Sequence, residues 1–192
     1  TKLVEDKYGH KGTVQDLRVY SSNFYGTNAA GAIAGVNEGG VISGVTTLGN
    51  HVEATGGDKK IDGTEVYGAA GGIVGINKGE IKGSDASDVV VAGGTDVTAG
   101  GVAGVNAEGG LIGAKANGGG FEIEEGKTAE DYLVTADSAV TANTGEIFSI
   151  GGAVGVNKGE ANLLNSTGVT NGRSGTDAYN VDKNVGGVVG SG

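Results

Sequence analysis

The chain has 192 residues, of which 42 are glycine, and it lacks proline, cysteine, methionine and tryptophan. This composition excludes collagen, which needs proline and a strict Gly-X-Y period, and also disulfide-stapled and zinc-ribbon folds, which need cysteine. The net charge of -10 disfavours nucleic acids and anionic membrane surfaces as partners, and no apolar run is long enough for membrane insertion as a helix. Because glycine destabilises helices, we expect an all-β chain in which glycine serves the backbone geometry.

Residues 1–29 are predicted to form an N-terminal strand or cap. Within this segment, residues 13–20 are predicted to be one strand, with Val14 and Tyr20 on the same face. Aromatic side chains gather in the same segment, at Tyr8, Tyr20, Phe24 and Tyr25. They belong either to a cap on the first repeat or to a binding patch, and we favour the cap because terminal repeats need one.

A short phrase of glycine and apolar residues, ending in asparagine, recurs through residues 30–192. Its copies lie in segments that we predict to be the repeat cores, near residues 32–44, 72–83, 101–113, 152–163 and 187–192. The unequal spacing fits repeats that absorb insertions in their connecting loops. The shared residues, to which we assign a structural role, are Gly35, Asn37, Gly72, Gly75, Asn77, Gly101, Gly104, Asn106, Gly152, Gly155, Asn157, Gly187 and Gly190.

Each phrase is predicted to be a strand that leads through an asparagine and glycine turn into a second strand. Side chains alternate along a strand, so we expect Val74 and Ile76 to face one core together. Gly75, on the opposite face, would let a neighbouring layer approach closely. If successive repeats stack in register, the asparagines form a row at one corner and their amides hydrogen-bond from repeat to repeat.

These features predict a right-handed parallel β-helix, or β-solenoid, of about five glycine-rich repeats. The longest interval between copies contains residues 128–134, where Thr128 is followed three positions later by Asp131. This pairing approximates a helix capping box. We therefore expect a short helix or an ordered loop to project from the repeats at this point.

The repeated phrase resembles the GLUG motif. It stands as Gly-Ile-Val-Gly at 72–75, Gly-Val-Ala-Gly at 101–104, Gly-Ala-Val-Gly at 152–155 and Gly-Val-Val-Gly at 187–190, while the first copy has Ala32 in place of glycine. No copy carries the leucine that gives the motif its name. The GLUG family occurs in large bacterial surface and secreted proteins, including filamentous adhesins and autotransporter-like passengers. The resemblance implies a β-solenoid on a bacterial exterior and transfers no active-site residue, because the motif is structural.

The sequence predicts no catalytic, cofactor-binding or metal-binding residue. His10 and His51 stand apart from each other and from any metal-binding motif. Acidic residues need closer inspection, because parallel β-helices also include enzymes that act on polysaccharides through carboxylates. The candidates are Asp58 with Asp62, Asp85 with Asp88, and Glu122 with Glu124 and Glu125. We favour a solvated strand edge for the three glutamates, since exposed acidic strands also oppose aggregation.

We predict a structural or adhesive repeat scaffold on a bacterial cell surface or in an extracellular filament, as part of a longer secreted or surface-anchored chain. Its expected partners are a host-surface protein, a glycan, or further copies that assemble end to end. The alternative is a β-helix that binds or cleaves polysaccharides through clustered carboxylates. Carboxylates gathered in one groove beside aromatic side chains would favour the alternative, and scattered carboxylates would favour the scaffold.

Overall fold

The computed structural model describes residues 2–4, 9–57, 68–93, 97–143, 148–168, 170–173 and 183–191. Within these residues, regular structure consists of 26 β-strands and one 3-10 helix. All strand pairs are parallel except one short hairpin. The predicted all-β class is therefore confirmed, together with its parallel pairing.

The chain runs repeatedly through four parallel sheets, which we call sheets I to IV, and we call each run one pass. The strands of the first pass are β1 (Lys2–Val4), β2 (Thr13–Gln15), β3 (Arg18–Tyr20), β4 (Asn23–Gly26) and β5 (Ala29–Gly31). Those of the second pass are β6 (Ala34–Glu38), β7 (Val41–Ser43), β8 (Thr46–Leu48), β9 (His51–Ala54) and β10 (Gly68–Gly71). The third pass comprises β11 (Val74–Asn77), β12 (Glu80–Lys82), β13 (Asp85–Gly93) and β14 (Val97–Gly100).

The fourth pass contains one insertion, and the fifth pass spans fewer residues than the fourth. The fourth comprises β15 (Ala103–Asn106), β16 (Leu111–Ile112), β17 (Ala116–Asn117), β18 (Gly120–Phe121), the 3-10 helix (Ala129–Asp131), β19 (Val134–Asn143) and β20 (Phe148–Gly151). The fifth comprises β21 (Val154–Asn157), β22 (Glu160–Ala161), β23 (Leu164–Ser166), β24 (Thr170–Arg173) and β25 (Lys183–Gly186), and β26 (Val189–Ser191) follows it.

Each pass adds strands to every sheet. Sheet I is β1-β6-β11-β15-β21-β26, sheet II is β2-β7-β12-β16-β22, and sheet IV is β5-β10-β14-β20-β25. Sheet III holds β3, β8, β13, β19 and β23, and β4, β9 and β24 pair along its continuation. Strands β1 to β5 thus pair with the strands of the second pass and form the first layer of the stack.

The core is built from rows of aligned apolar residues. Ile42, Ile81 and Ile112 stand in register in sheet II and are fully buried. In sheet I, Val74 aligns with Ala34 and Ala103, and its row lies in this main core. Burial of such rows removes apolar surface from water along the whole stack of strands and is the main force that holds the passes together.

Val74 and Ile76, which the alternation predicts to face one core together, lie in different clusters. Val74 belongs to the main core, whereas Ile76 belongs to a second, smaller cluster that includes Ala69 of sheet IV. Alternation along a strand fixes the direction in which a side chain leaves the backbone. It does not fix which neighbouring strand covers that side chain, and for Ile76 the cover includes a strand of sheet IV.

Tight corners separate sheet II from sheet III. The corner residues have positive φ: Asp16 (52°), Gly44 (62°), Gly83 (53°), Gly113 (84°) and Leu163 (50°). Such a conformation interrupts the extended backbone of a strand, because regular strand residues have negative φ. The predicted single strand over residues 13–20 is therefore wrong, and the corner at Asp16 divides it into β2 and β3.

The insertion comprises residues 114–133, between β16 and β19. It contains the antiparallel hairpin β17–β18 and a 3-10 helix of three residues, and the rest of it has no helix. Of the two alternatives that the sequence predicts, it is therefore closer to the ordered loop than to the short helix. The Asp131 carboxylate accepts hydrogen bonds from the Thr128 backbone N–H at 2.8 Å and from the Thr128 hydroxyl at 3.1 Å. The Thr128–Asp131 spacing therefore marks where this helix begins.

Candidate functional site

The repeated asparagines form a row at the end of the sheet I strands. The Asn37 side-chain amide donates to Asn77 Oδ1 at 2.9 Å, Asn77 donates to Asn106 at 2.8 Å, and Asn106 donates to Asn157 at 2.8 Å. Asn37, Asn77 and Asn106 have no appreciable exposed surface. These are the contacts between repeats that the sequence predicts, and they give the side-chain nitrogens of Asn37, Asn77 and Asn106 partners within the fold.

The same amides also fix the turns that follow them. The Asn77 side-chain nitrogen donates to the Gly79 carbonyl at 3.0 Å, and its oxygen accepts from the Gly79 N–H at 3.3 Å. In the second pass, the Asn37 amide donates to the Gly40 carbonyl at 3.1 Å. Asn37, Asn77 and Asn106 therefore each join their own turn and the next pass at once, which favours a structural role over ligand binding.

All hydrogen bonds of the asparagine row point the same way, so its two ends differ. The first member, Asn37, keeps a buried Oδ1 without a hydrogen-bond partner. In the first pass, Leu3 aligns with Asn37, and the leucine side chain has no hydrogen-bond donor for this oxygen. An unpaired buried oxygen is costly, so the first layer is a less favourable neighbour for the row than another asparagine would be.

The repeated glycines lie where backbones approach most closely. A Cβ added to Gly72 would stand 2.1 Å from the Gly101 carbonyl oxygen, and one on Gly101 would stand 2.3 Å from that of Gly152. A Cβ added to Gly152 would likewise lie 2.1 Å from the oxygen of Gly187, whereas Gly187 itself faces open space. The first glycine of the phrase therefore permits contact between consecutive passes.

The second glycine of the phrase permits contact between sheets I and IV. A Cβ on Gly75 would lie 2.9 Å from the Ala69 carbonyl oxygen, and one on Gly104 would lie 2.7 Å from the Ala70 nitrogen. Gly155 and Gly190 make the corresponding approaches to the carbonyl oxygens of Ala99 and Ile150, at 2.8 and 2.7 Å. These contacts are the close approach of neighbouring layers that the sequence predicts at Gly75.

The insertion folds back over the third pass and is attached there by Lys82. The Lys82 Nζ lies 2.9 Å from Glu124 Oε1 and 5.1 Å from the centre of the Tyr132 ring. Tyr132 is buried, and its hydroxyl accepts the Glu124 backbone N–H at 3.1 Å. Sequence reasoning missed Lys82 and Tyr132, because no spacing along the chain indicates that the fourth pass returns to the third.

Three charged groups in this region have shifted pKa values. Burial opposes the positive charge of Lys82, but the hydrogen bond and negative charge of Glu124 outweigh it and raise the pKa of Lys82. The hydrogen bond and charge of Lys82 lower the pKa of Glu124 in turn. The backbone N–H and hydroxyl of Thr128 lower the pKa of Asp131. All three groups are therefore charged near neutral pH and stabilise the position of the insertion.

Two clefts flank the Lys82–Glu124 pair. The larger, about 580 Å³, lies between the insertion and the corner between sheets II and III, and Asp16, Glu130, Asp131 and Lys127 are among its lining residues. The smaller, about 310 Å³, includes Glu122 and Lys115 in its lining. Both are open and dominated by charged side chains, most of which already pair with a residue of opposite charge.

The acidic pair at Asp85 and Asp88 makes structural contacts. The Asp85 carboxylate accepts hydrogen bonds from the Ser87 hydroxyl at 2.5 Å and from the Thr135 hydroxyl of the next pass. Asp88 has a φ of 52° and marks the bulge in β13. The other predicted pair, Asp58 with Asp62, lies outside the described residues.

The three glutamates of the insertion do not form a strand edge. Strand β18 ends at Phe121, because its partner β17 is only two residues long, and Glu122 to Glu125 follow it without regular structure. Glu122 lies 3.8 Å from Lys115 and Glu124 pairs with Lys82. Glu125 is exposed. The two partnered carboxylates thus line one cleft but face different lysines.

The aromatic residues of the first pass have different environments. Phe24 packs against the main core, whereas Tyr20 and Tyr25 are 47% and 67% exposed. Tyr8 lies outside the described residues. His51 lies beside Tyr25, with ring centres 5.8 Å apart, and its Nε2 is 3.3 Å from Glu53 Oε2. Phe24 therefore serves the fold, and the rings of Tyr20 and Tyr25 are exposed to solvent.

Among the described residues, no group of three or more His, Cys, Asp or Glu side chains is arranged to hold a metal ion. In the same part of the chain, no helix combines the length and apolar character needed to cross a bilayer. No family model, curated protein or solved structure matches the chain.

Proposed function

We propose that the protein is a right-handed β-solenoid that serves as a structural or adhesive scaffold on a bacterial cell surface or in an extracellular filament. The observation that supports it best is the use of the repeated polar residues. The asparagine row is buried and its amides bond to one another and to their own turns. A repeat whose polar groups serve packing extends the fold, and its length carries other surfaces away from an anchor.

The order of the strands supports the solenoid architecture. Each pass visits sheets I, II, III and IV in the same sequence, and every sheet gains parallel strands in register. Successive layers in such an arrangement stand about 4.8 Å apart. The six strands of sheet I therefore span about 24 Å, which is too short for a rod. Small-angle X-ray scattering of the purified chain tests this proposal: a curve that matches the one calculated for the stacked passes supports it, and a curve that departs from it contradicts it.

The location and role need a separate experiment. Antibodies raised against the chain should label intact cells of the organism that produces it, and protease added to those cells should remove the labelling. Labelling that requires permeabilised cells would contradict the surface proposal. A matched antibody against a cytoplasmic protein of the same cells shows that they are intact.

The carboxylates that the sequence singles out give little support to the alternative that polysaccharide is cleaved. Asp85 bonds to hydroxyls of the fold, and Glu122 and Glu124 bond to separate lysines. A cleaving pair needs an acid and a base or nucleophile that face one bond. Binding of a glycan without cleavage needs no such pair.

A further inference from the structure

We propose that the outer face of sheet III beside Tyr25 binds a neutral glycan. The face comprises Asn23, Tyr25, His51, Glu53 and Val90, and we call it the Tyr25 surface. Its central residue, Tyr25, is 67% exposed. Among the described residues it is the most exposed of the large apolar side chains, and an exposed tyrosine ring is a candidate contact for a partner.

Strand register places these side chains together. In the parallel strands β4, β9 and β13, Asn23 aligns with His51 and Val90, and Tyr25 aligns with Glu53. The intervening residues, Val52 and Val91, are fully buried. Because side chains alternate along each strand, Asn23, Tyr25, His51 and Glu53 lie on the outer face as near neighbours.

The contacts within the Tyr25 surface hold the ring in place and supply polar groups around it. The His51 ring packs against Tyr25 at a tilt of 53°, and it hydrogen-bonds to the Glu53 carboxylate. An aromatic face carries partial negative charge, which attracts the polarised C–H groups of a sugar ring. The Glu53 carboxylate has remaining acceptor sites and the Asn23 amide both donates and accepts, so both suit hydroxyl groups.

A cavity adjoins the same residues. It has a volume of about 360 Å³ and is lined by Asn23, Phe24, Tyr25 and the glycine-rich segment 29–35. Small-ligand sites have volumes of about 300–1,000 Å³, so this cavity is at the small end of that range. Its lining includes Phe24, Ala30 and Ala34, which belong to or pack against the main core, so the cavity lies beside the outer face and the proposal rests on the Tyr25 surface itself.

The charge of the Tyr25 surface selects the class of glycan. Glu53 is an acid, and the five residues of the surface include neither lysine nor arginine. An anionic sugar would therefore meet the Glu53 carboxylate with no lysine or arginine in the surface to offset the repulsion, while a neutral sugar would not be repelled. This inference adds a binding region to the proposed scaffold and rests on that proposal only for its biological setting.

Saturation-transfer NMR and titration with cellotriose, triacetylchitotriose and trigalacturonate test the inference. At least one neutral trisaccharide should bind, and Tyr25→Ala should weaken its affinity about tenfold, the loss of one aromatic contact. Tyr25→Phe should retain the affinity because the ring remains. Tyr20→Ala, which removes an exposed tyrosine from β3, is the matched control and should leave binding unchanged.

Three results would overturn the inference: neither neutral probe binds, trigalacturonate binds as tightly as they do, or Tyr25→Ala leaves the affinity intact. Circular dichroism of each variant verifies that the fold is kept. Failure of glycan binding is distinguishable from failure of the scaffold proposal, because scattering and surface labelling do not depend on Tyr25.

Discussion

The repeated passes and the insertion at residues 114–133 are held by different kinds of contact. In the passes, amides such as Asn77 are buried, and glycines such as Gly75 touch the main chain of the neighbouring sheet. The insertion is attached by the buried Tyr132 and by the Lys82–Glu124 pair, in which the Glu124 side chain is 64% exposed. A buried polar group that loses its partner cannot hydrogen-bond to water instead, whereas the charged groups of an exposed ion pair can. Substitutions should therefore cost far more in the passes than in the insertion.

Removing a central asparagine should have the largest effect. Asn77→Ala deletes the hydrogen bonds to Asn37 and Asn106 and leaves both amides with unpaired buried groups. Each such group costs about 1–3 kcal/mol, so we expect the free energy of unfolding to fall by about 4 kcal/mol. Urea unfolding followed by circular dichroism measures the loss.

The matched control for Asn77→Ala is Asn117→Ala in the insertion hairpin. Asn117 is exposed, so its replacement should change the free energy of unfolding by no more than about 0.5 kcal/mol. Equal losses in the two variants would show that the buried row contributes nothing special to stability.

Adding one methyl group between sheets I and IV should have the next largest effect. In Gly75→Ala, the new Cβ would stand 2.7 Å from the Gly35 carbonyl oxygen and 2.8 Å from the Ala30 nitrogen. Main-chain atoms cannot move aside as a flexible side chain does, so overpacking should cost about 3 kcal/mol. Gly120→Ala is the control, because the nearest atom to its Cβ is 3.8 Å away. A neutral Gly75→Ala variant would contradict the close approach of the two sheets.

The sequence predicts those parts of the fold in which one residue type serves one geometric need. Gly75 and Asn77 recur because a close main-chain contact excludes side chains and a buried turn needs an amide, so their repetition predicts strands, turns and the asparagine row. The corner at Asp16 escaped prediction, because an isolated aspartate with positive φ resembles any polar residue of a strand. The Tyr25 surface and Lys82 escaped as sites because their neighbours come from other passes, and the register of those passes is fixed only by the folded core.

Replacing the lysine that attaches the insertion should have a small global effect and a clear local one. Lys82→Met keeps an apolar stem beside Tyr132 and removes the ion pair with Glu124. The urea midpoint should move much less than in the two variants of the passes, because Glu124 is solvated. Amide hydrogen exchange should speed up in residues 114–133 and stay unchanged in sheet I. Faster exchange throughout the passes would show that the insertion supports the whole fold.

The smallest effect should be a change in the pKa values of individual charged groups in and beside the insertion. Lys82 lowers the pKa of Glu124 below its ordinary value of 4.5, and Thr128 lowers that of Asp131 below 3.8. A carboxyl group with a lowered pKa contributes its full stabilisation at pH values above its ordinary pKa. This stabilisation is lost as the pH falls through the lowered pKa. The pKa of Lys82 is raised above 10.5. Its stabilising contribution is therefore complete at pH values below 10.5 and is lost as the pH rises through the raised pKa.

NMR titration of the side-chain carboxyl carbons separates these causes. Lys82→Met should return the pKa of Glu124 toward its ordinary value and leave that of Asp131 lowered, because the Thr128 donors remain. Thr128→Ala should raise the pKa of Asp131 only in part, since the backbone N–H still donates to its carboxylate. If Lys82→Met moved both carboxyl groups equally, the insertion would titrate as one charged cluster. Its attachment would then depend on net charge and not on the paired contacts described for Lys82 and Thr128.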